Sequence, residues 1–80
     1  MLKELREIDL SNNHIKSFPT NLAQLSQLTI LELAGNEIQT IPSWITELSA
    51  LKILNLKGNP ISKTQIEKIR KEAPHISIEF

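Results

Sequence analysis

The sequence predicts an α/β fold: a short solenoid whose parallel strands line a concave face, closed at its C-terminal end by a helix and a last strand. Three observations carry this. Apolar residues recur with a period of 23, so that Leu5, Ile8, Leu10, Asn13, Ile15, Phe18, Pro19, Leu22 and Leu25 return as Leu28, Leu31, Leu33, Asn36, Ile38, Ile41, Pro42, Ile45 and Leu48. A third pass begins with Leu51, Leu54, Leu56, Asn59 and Ile61. After it the spacing changes to that of a helix and then to strict alternation. The 80 residues read as one unit: a first repeat over 1–25, a second over 26–48, a third over 49–61 and a cap over 62–80.

Within each repeat the apolar residues first alternate and then spread out. This places short strands at Ile8 to Leu10, Leu31 to Leu33 and Leu54 to Leu56, each stacked on the next. The Asn that follows each strand is expected to point inward, where one amide can both donate to and accept from backbone groups that a turn leaves without partners. Asn13, Asn36 and Asn59 therefore form an internal ladder with a structural role. Gly35 and Gly58 precede two of them, where a tight turn calls for backbone freedom. Phe18-Pro19 and Ile41-Pro42 set an extended conformation at the start of the return. Leu22, Leu25, Ile45 and Leu48 close the coil on its convex side.

The third coil departs from this pattern. Ser62 suits an N-cap, with Gln65 three residues on as a capping box and Ile61 and Ile66 at the staple positions. A helix from about Lys63 to Glu72 turns Ile66, Ile69 and Ala73 inward and leaves Lys68, Arg70 and Lys71 in water. Pro74 ends it. The tail alternates, and Ala73, Ile76 and Ile78 repeat the spacing of Leu51, Leu54 and Leu56 at an offset of 22, which predicts a fourth strand. A helix and strand of this kind protect the apolar end of a solenoid.

Composition narrows the function classes. Nine basic and nine acidic residues balance, so no electrostatic footprint for nucleic acid is present. There is no cysteine, which removes disulfides, thiolate metal sites and cysteine nucleophiles. The charged start Met-Leu-Lys-Glu-Leu-Arg-Glu does not fit a signal peptide, and no apolar run has the length of a membrane span. No nucleophile has a histidine and an acid at catalytic spacing, and no glycine-rich phosphate loop occurs, so an enzyme is not expected.

The pattern L-x-x-L-x-L-x-x-N-x-I with its L-P-x-x-I-x-x-L return resembles the 23-residue class of leucine-rich repeats. The run Lys57-Gly58-Asn59-Pro60-Ile61-Ser62, then Ile66-Glu67-Lys68-Ile69, Pro74 and the Ile-x-Ile-x-Phe ending is similar to the terminal cap of leucine-rich repeat proteins from Leptospira-type spirochaetes. That resemblance implies a non-catalytic binding protein, secreted or surface-exposed and acting on host components, without a cofactor. Relatives have more coils and begin with an N-terminal cap, whereas Leu2 already occupies the position of Leu25 and Leu48.

A strand that buries alternate residues presents the others on the concave face. One expected column runs Glu7, Ile30, Ile53, His75. The next runs Asp9, Glu32, Asn55, Ser77, and the third Ser11, Ala34, Lys57, Glu79. Ile30 and Ile53 form a small apolar shelf, equally readable as a contact surface or as a packing pair. Asp9 and Glu32 are like charges on neighbouring strands. Glu7, Asp9, Ile30, Glu32, Ile53, Asn55, Lys57 and His75 thus compose the candidate partner-binding surface. A partner that offers Lys or Arg beside the isoleucine shelf suits it.

Other features carry less. His14 and His75 sit at opposite ends of the stack, so no intramolecular metal site is expected, though a bridge between molecules stays open. Trp44, at the position of Asn21, is expected on the convex surface, as an interface anchor or as peripheral packing. The first strand has no polar cap before it, which leaves Met1, Leu2 and Leu5 as a self-association edge. An isologous homodimer is the simplest closed solution. Two readings therefore stand side by side: a module that holds a protein partner on its concave face, and a self-assembling element or C-terminal piece of a longer scaffold with no ligand of its own.

Overall fold

The computed structural model describes residues 5–80, so the expectations at Met1 and Leu2 lie outside the described residues. Four three-residue strands form one parallel sheet in chain order: β1 (Glu7–Asp9), β2 (Ile30–Glu32), β3 (Ile53–Asn55) and β4 (Ser77–Glu79). Helix α1 (Lys63–Glu72) lies between β3 and β4. The expected α/β solenoid with a helix-strand cap is what forms. The first three strands start and end one residue earlier than the alternation suggests. The ladder reaches back because Ile30 N–H donates to Arg6 O (2.9 Å) and Ile53 N–H to Thr29 O (3.1 Å). Leu10, Leu33 and Leu56 still donate to the next strand, but as entries to the turn.

The core is built from the repeated apolar set. Leu28, Leu31, Leu33, Leu51 and Leu54 are fully buried, so β2 and β3 lie between covered layers. Ile8, Leu10 and Ile15, the same positions one coil earlier, are only half-buried, because the described residues place no layer over them. Leu5 is 41% exposed where Leu28 and Leu51 are at 0%, so burial falls on the strand side of the first coil, while Phe18, Leu22 and Leu25 on its return stay buried. Each return begins in extended backbone at Pro19 (φ −62°, ψ 124°) and Pro42 (φ −69°, ψ 150°), with φ held by the proline ring. Each then tightens into one turn of 3₁₀-helix, Thr20–Gln24 and Ser43–Glu47, which aims Leu22 and Ile45 inward. The short helical turn suits a coil with few residues in which to cross the convex side.

The asparagine ladder exists, but its amides bond to backbone and not to one another. Asn36, 4% exposed, donates from Nδ2 to Leu10 O (3.0 Å) and Leu33 O (2.9 Å). Its Oδ1 accepts from Asn13 N–H (2.8 Å) and Ile15 N–H (2.9 Å). Asn59 repeats this, donating to Leu33 O (2.8 Å) and Leu56 O (3.1 Å) and accepting from Ile38 N–H (3.0 Å). Asn36 and Asn59 thus each tie their own coil to the one before it, whereas Asn13, expected to point inward, is exposed and its amide bonds only to Leu10 O and Ser11 O of its own coil. Gly35 and Gly58 hold φ of +71° and +78°, the left-handed region in which a side chain is strained. At Gly35 a Cβ would also overlap Asn12 Oδ1.

The cap keeps its expected N-cap but differs from expectation at the Gln65 side chain and in the register of β4. Ser62 Oγ accepts from Gln65 N–H (3.2 Å), as an N-cap should. The Gln65 side chain does not complete the capping box. It is half-buried, accepts from Ile41 N–H and donates to Gln39 O (3.3 Å), so it ties α1 to the second coil. The last strand is also in a different register. Leu54 lies opposite Ile78 and Asn55 opposite Glu79, an offset of 24 and not 22. The bond Ile76 N–H to Ala73 O matches Leu51 N–H to Leu48 O and Leu28 N–H to Leu25 O, so Ile76 is the counterpart of Leu51. A helical return uses more residues than a 3₁₀ turn, and one residue fewer then separates Ile76 from the strand. His75 consequently leaves the first concave column and lies exposed in the turn before β4.

Candidate functional site

The concave columns follow from the register. One runs Glu7, Ile30, Ile53, Ser77 and the other Asp9, Glu32, Asn55, Glu79. Ile30 and Ile53 are directly opposed, and both remain half-buried although they face away from the core. They form an aliphatic shelf across the two central strands. Exposed Glu7 adjoins it on one side and exposed Ser77 on the other. Of the expected surface residues, Glu7, Asp9, Ile30, Glu32, Ile53 and Asn55 come together on this face. Lys57 lies just past β3, where its Nζ is 3.7 Å from Glu79 Oε1. That pair is diagonal across the strands and open to water, so it adds little to stability.

Asp9 and Asn55 share a local device that the residue spacing already carried. Asp9 Oδ1 accepts from Ser11 N–H (3.0 Å) and Ser11 Oγ–H (2.6 Å). Asn55 Oδ1 accepts from Lys57 N–H (3.1 Å). Each is an Asx turn that closes the strand end two residues on, and Asp-x-Ser and Asn-x-Lys are sequence signals for it. The Ser11 hydroxyl, and after it the Ser11 amide, hold the Asp9 carboxyl below its ordinary pKa. Asp9 is therefore a carboxylate of fixed direction beside the hydrated Glu7 and the half-buried Glu32.

The remaining candidates lie elsewhere. His14 has φ +57° and sits 3.1 Å, Nδ1 to Oε2, from Glu37 on the loop side, far from His75 in sequence and in the stack. Among the described residues no three histidine or carboxylate side chains gather as a metal site. Trp44 is half-buried on the convex side, with its ring edge-on to Phe18 at 6.1 Å and 85°. That is peripheral packing, worth a modest amount beyond the area it covers. The contact between Arg70 and Phe80 has no signature in the sequence. The guanidinium lies 4.6 Å over the Phe80 ring and donates to Ile78 O (3.2 Å) at the outer edge of β4. An arginine eight residues before a backbone acceptor leaves no periodic signal.

Among the described residues no helix is long and apolar enough to cross a membrane. The leucine-rich repeat family model matches residues 2–61. The solved structure of a leucine-rich repeat protein of Leptospira interrogans is 42% identical with a TM-score of 0.91, covering 99% of this chain and 20% of that one. The Mex67:Mtr2 subunits of Chaetomium contain a chain 27% identical with a TM-score of 0.73, covering 94% of this chain and 53% of that one. The chain thus spans one fifth of the length of the Leptospira protein. No curated protein sequence matches it.

Proposed function

The chain belongs to the leucine-rich repeat family, and from that premise we propose that residues 1–80 act as one non-catalytic module that holds a protein partner on the concave sheet face. The observation that supports this is the Ile30–Ile53 shelf. Two opposed aliphatic side chains stand half-buried on the face turned from the core, with Glu7, Asp9 and Glu32 alongside. An apolar center with a charged rim is how protein-binding surfaces are composed. Glu7, Asp9, Ile30, Glu32, Ile53, Asn55 and Lys57 are the contact residues of this reading, and His75 lies outside it. The similarity to a Leptospira protein supports a bacterial setting, and contact with host components is part of the proposal. Affinity capture followed by mass spectrometry tests it. A partner held by the parent chain is lost with Ile30→Arg combined with Ile53→Glu, and retained with Leu5→Lys. Equal capture by all three chains sinks the concave-face reading.

A second reading, a homodimer formed through the first coil, is favored by the 41% exposure of Leu5 and the half-buried Ile8 and Leu10. Light scattering over a wide concentration range decides it. A dimer that survives a chelator and dissociates in Leu5→Lys supports this reading, and a concentration-independent monomer ends it.

A further inference from the structure

We propose that the concave face takes an arginine side chain of its protein partner, with the guanidinium seated on Glu32 and the aliphatic stem laid across Ile30 and Ile53. This rests on the concave-face reading and names the chemistry of what that face holds. The seat lies on β2 and β3, the two inner strands, whose neighbors on both sides are described.

The concave positions of these strands are Ile30 and Glu32 of β2 and Ile53 and Asn55 of β3, and all four are half-buried. Glu32 is the one charged group among them. Its cross-strand neighbors are Asp9 and Asn55, and Ile30 precedes it by two residues on the same face. None of these is a cation. Lys57, two residues past Asn55, is turned to Glu79, with Nζ 3.7 Å from Oε1. The Glu32 carboxyl has neither a hydrogen bond nor an ion pair among the described residues.

Such a carboxylate works against the free sheet. Like charges opposite one another on neighboring strands destabilize it, and partial cover by apolar side chains adds to the cost. Asp9 gives no relief, because both Ser11 bonds hold it as a carboxylate. Glu32 returns nothing to the fold, and a cation brought by a partner offsets its cost.

The surroundings select arginine over lysine. From the isoleucine shelf to Glu32 is two residues of parallel strand, about 6.6 Å, along which a long aliphatic stem can lie on apolar surface. A guanidinium arriving there offers two parallel N–H groups to Glu32 and keeps others for the flanks. On one flank Asn55 Oδ1 accepts from Lys57 N–H (3.1 Å) and, as a carbonyl oxygen, has a second lone pair. On the other, Asp9 uses Oδ1 for Ser11 and has a further oxygen. A planar fork reaches acceptors on three neighboring strands, whereas a compact, strongly hydrated ammonium meets one at a time. An apolar residue of the partner beside the arginine completes the cover of Ile30 and Ile53.

NMR titration of the full chain with two capped peptides, acetyl-Arg-Gly-Leu-amide and acetyl-Lys-Gly-Leu-amide, tests this. The arginine peptide is expected to move the Ile30, Glu32, Ile53 and Asn55 resonances saturably and to bind roughly tenfold tighter than the lysine peptide. Glu32→Gln keeps the shape of the side chain and is expected to bring the arginine peptide down to the level of the lysine one. Ile30→Arg with Ile53→Glu abolishes binding of both. Equal binding of the two peptides, kept in Glu32→Gln and lost in the isoleucine variant, leaves the concave-face reading standing and ends this one. No saturable change at the four residues, or a second copy of the chain covering them, overturns it too.

Discussion

The carboxamide of Asn36 is bonded to the backbone of Asn13, Oδ1 to N–H at 2.8 Å, across one full repeat. The same oxygen also receives Ile15 N–H, and its nitrogen reaches Leu10 O in the earlier coil and Leu33 O in its own. One buried side chain therefore satisfies backbone groups from two coils that the turns leave without partners.

Replacing it exposes that dependence. Asn36→Ala removes the partner of two N–H and two C=O groups, most of them only part-buried so that water replaces some of the lost bonds, and a loss of roughly 2–4 kcal/mol is expected from urea unfolding. Asn13→Ala is expected to cost less, about 1 kcal/mol, since Asn13 is exposed and its amide serves only its own coil. Equal losses would refute the view that bonding between coils sets the ladder's strength.

The second prediction concerns the cap. Gln65 joins α1 to the second coil through Ile41 N–H and Gln39 O. Gln65→Ala is expected to cost about 1–2 kcal/mol and to speed exchange of the Ile41 amide while α1 stays helical. A helix that melts in this variant would assign Gln65 to capping instead.

Asp9 supplies the pH dependence. Its carboxyl titrates below its ordinary value, chiefly through the Ser11 hydroxyl. A group whose folded pKa is depressed adds stability that is present above the unfolded pKa and is lost as pH falls through the folded one. In an NMR titration the Asp9 carboxyl therefore protonates at lower pH than it does unfolded. Ser11→Ala raises that midpoint without restoring it fully, because the Ser11 amide still donates. No movement in the variant would remove the hydroxyl as the main cause.

Much of the concave face was legible from alternation and the repeat period. Glu7, Asp9, Ile30, Glu32 and Ile53 fall where a period of 23 and strand geometry place them, since identical coils stack in identical register. His75 was misplaced for a specific reason. The apolar residues of the tail match Leu51, Leu54 and Leu56 at an offset of 22, but hydrophobicity says only that they are buried, not which neighbor each one meets. Asp9's bond to Ser11 had a readable two-residue signal. The Arg70–Phe80 contact had none, because it joins the helix to the chain end.

By itself the sequence determined the repeat, the identity of the core residues and the existence of the cap, because burial of apolar side chains at fixed spacing leaves one way to coil the chain. Tertiary structure alone decided the β4 register, the partners of Gln65 and the bond of Arg70 to the outward Ile78 carbonyl. Those depend on how many residues a helical return consumes and on where long polar side chains find backbone groups to bond. Both are properties of the packed coils, not of any local stretch of chain.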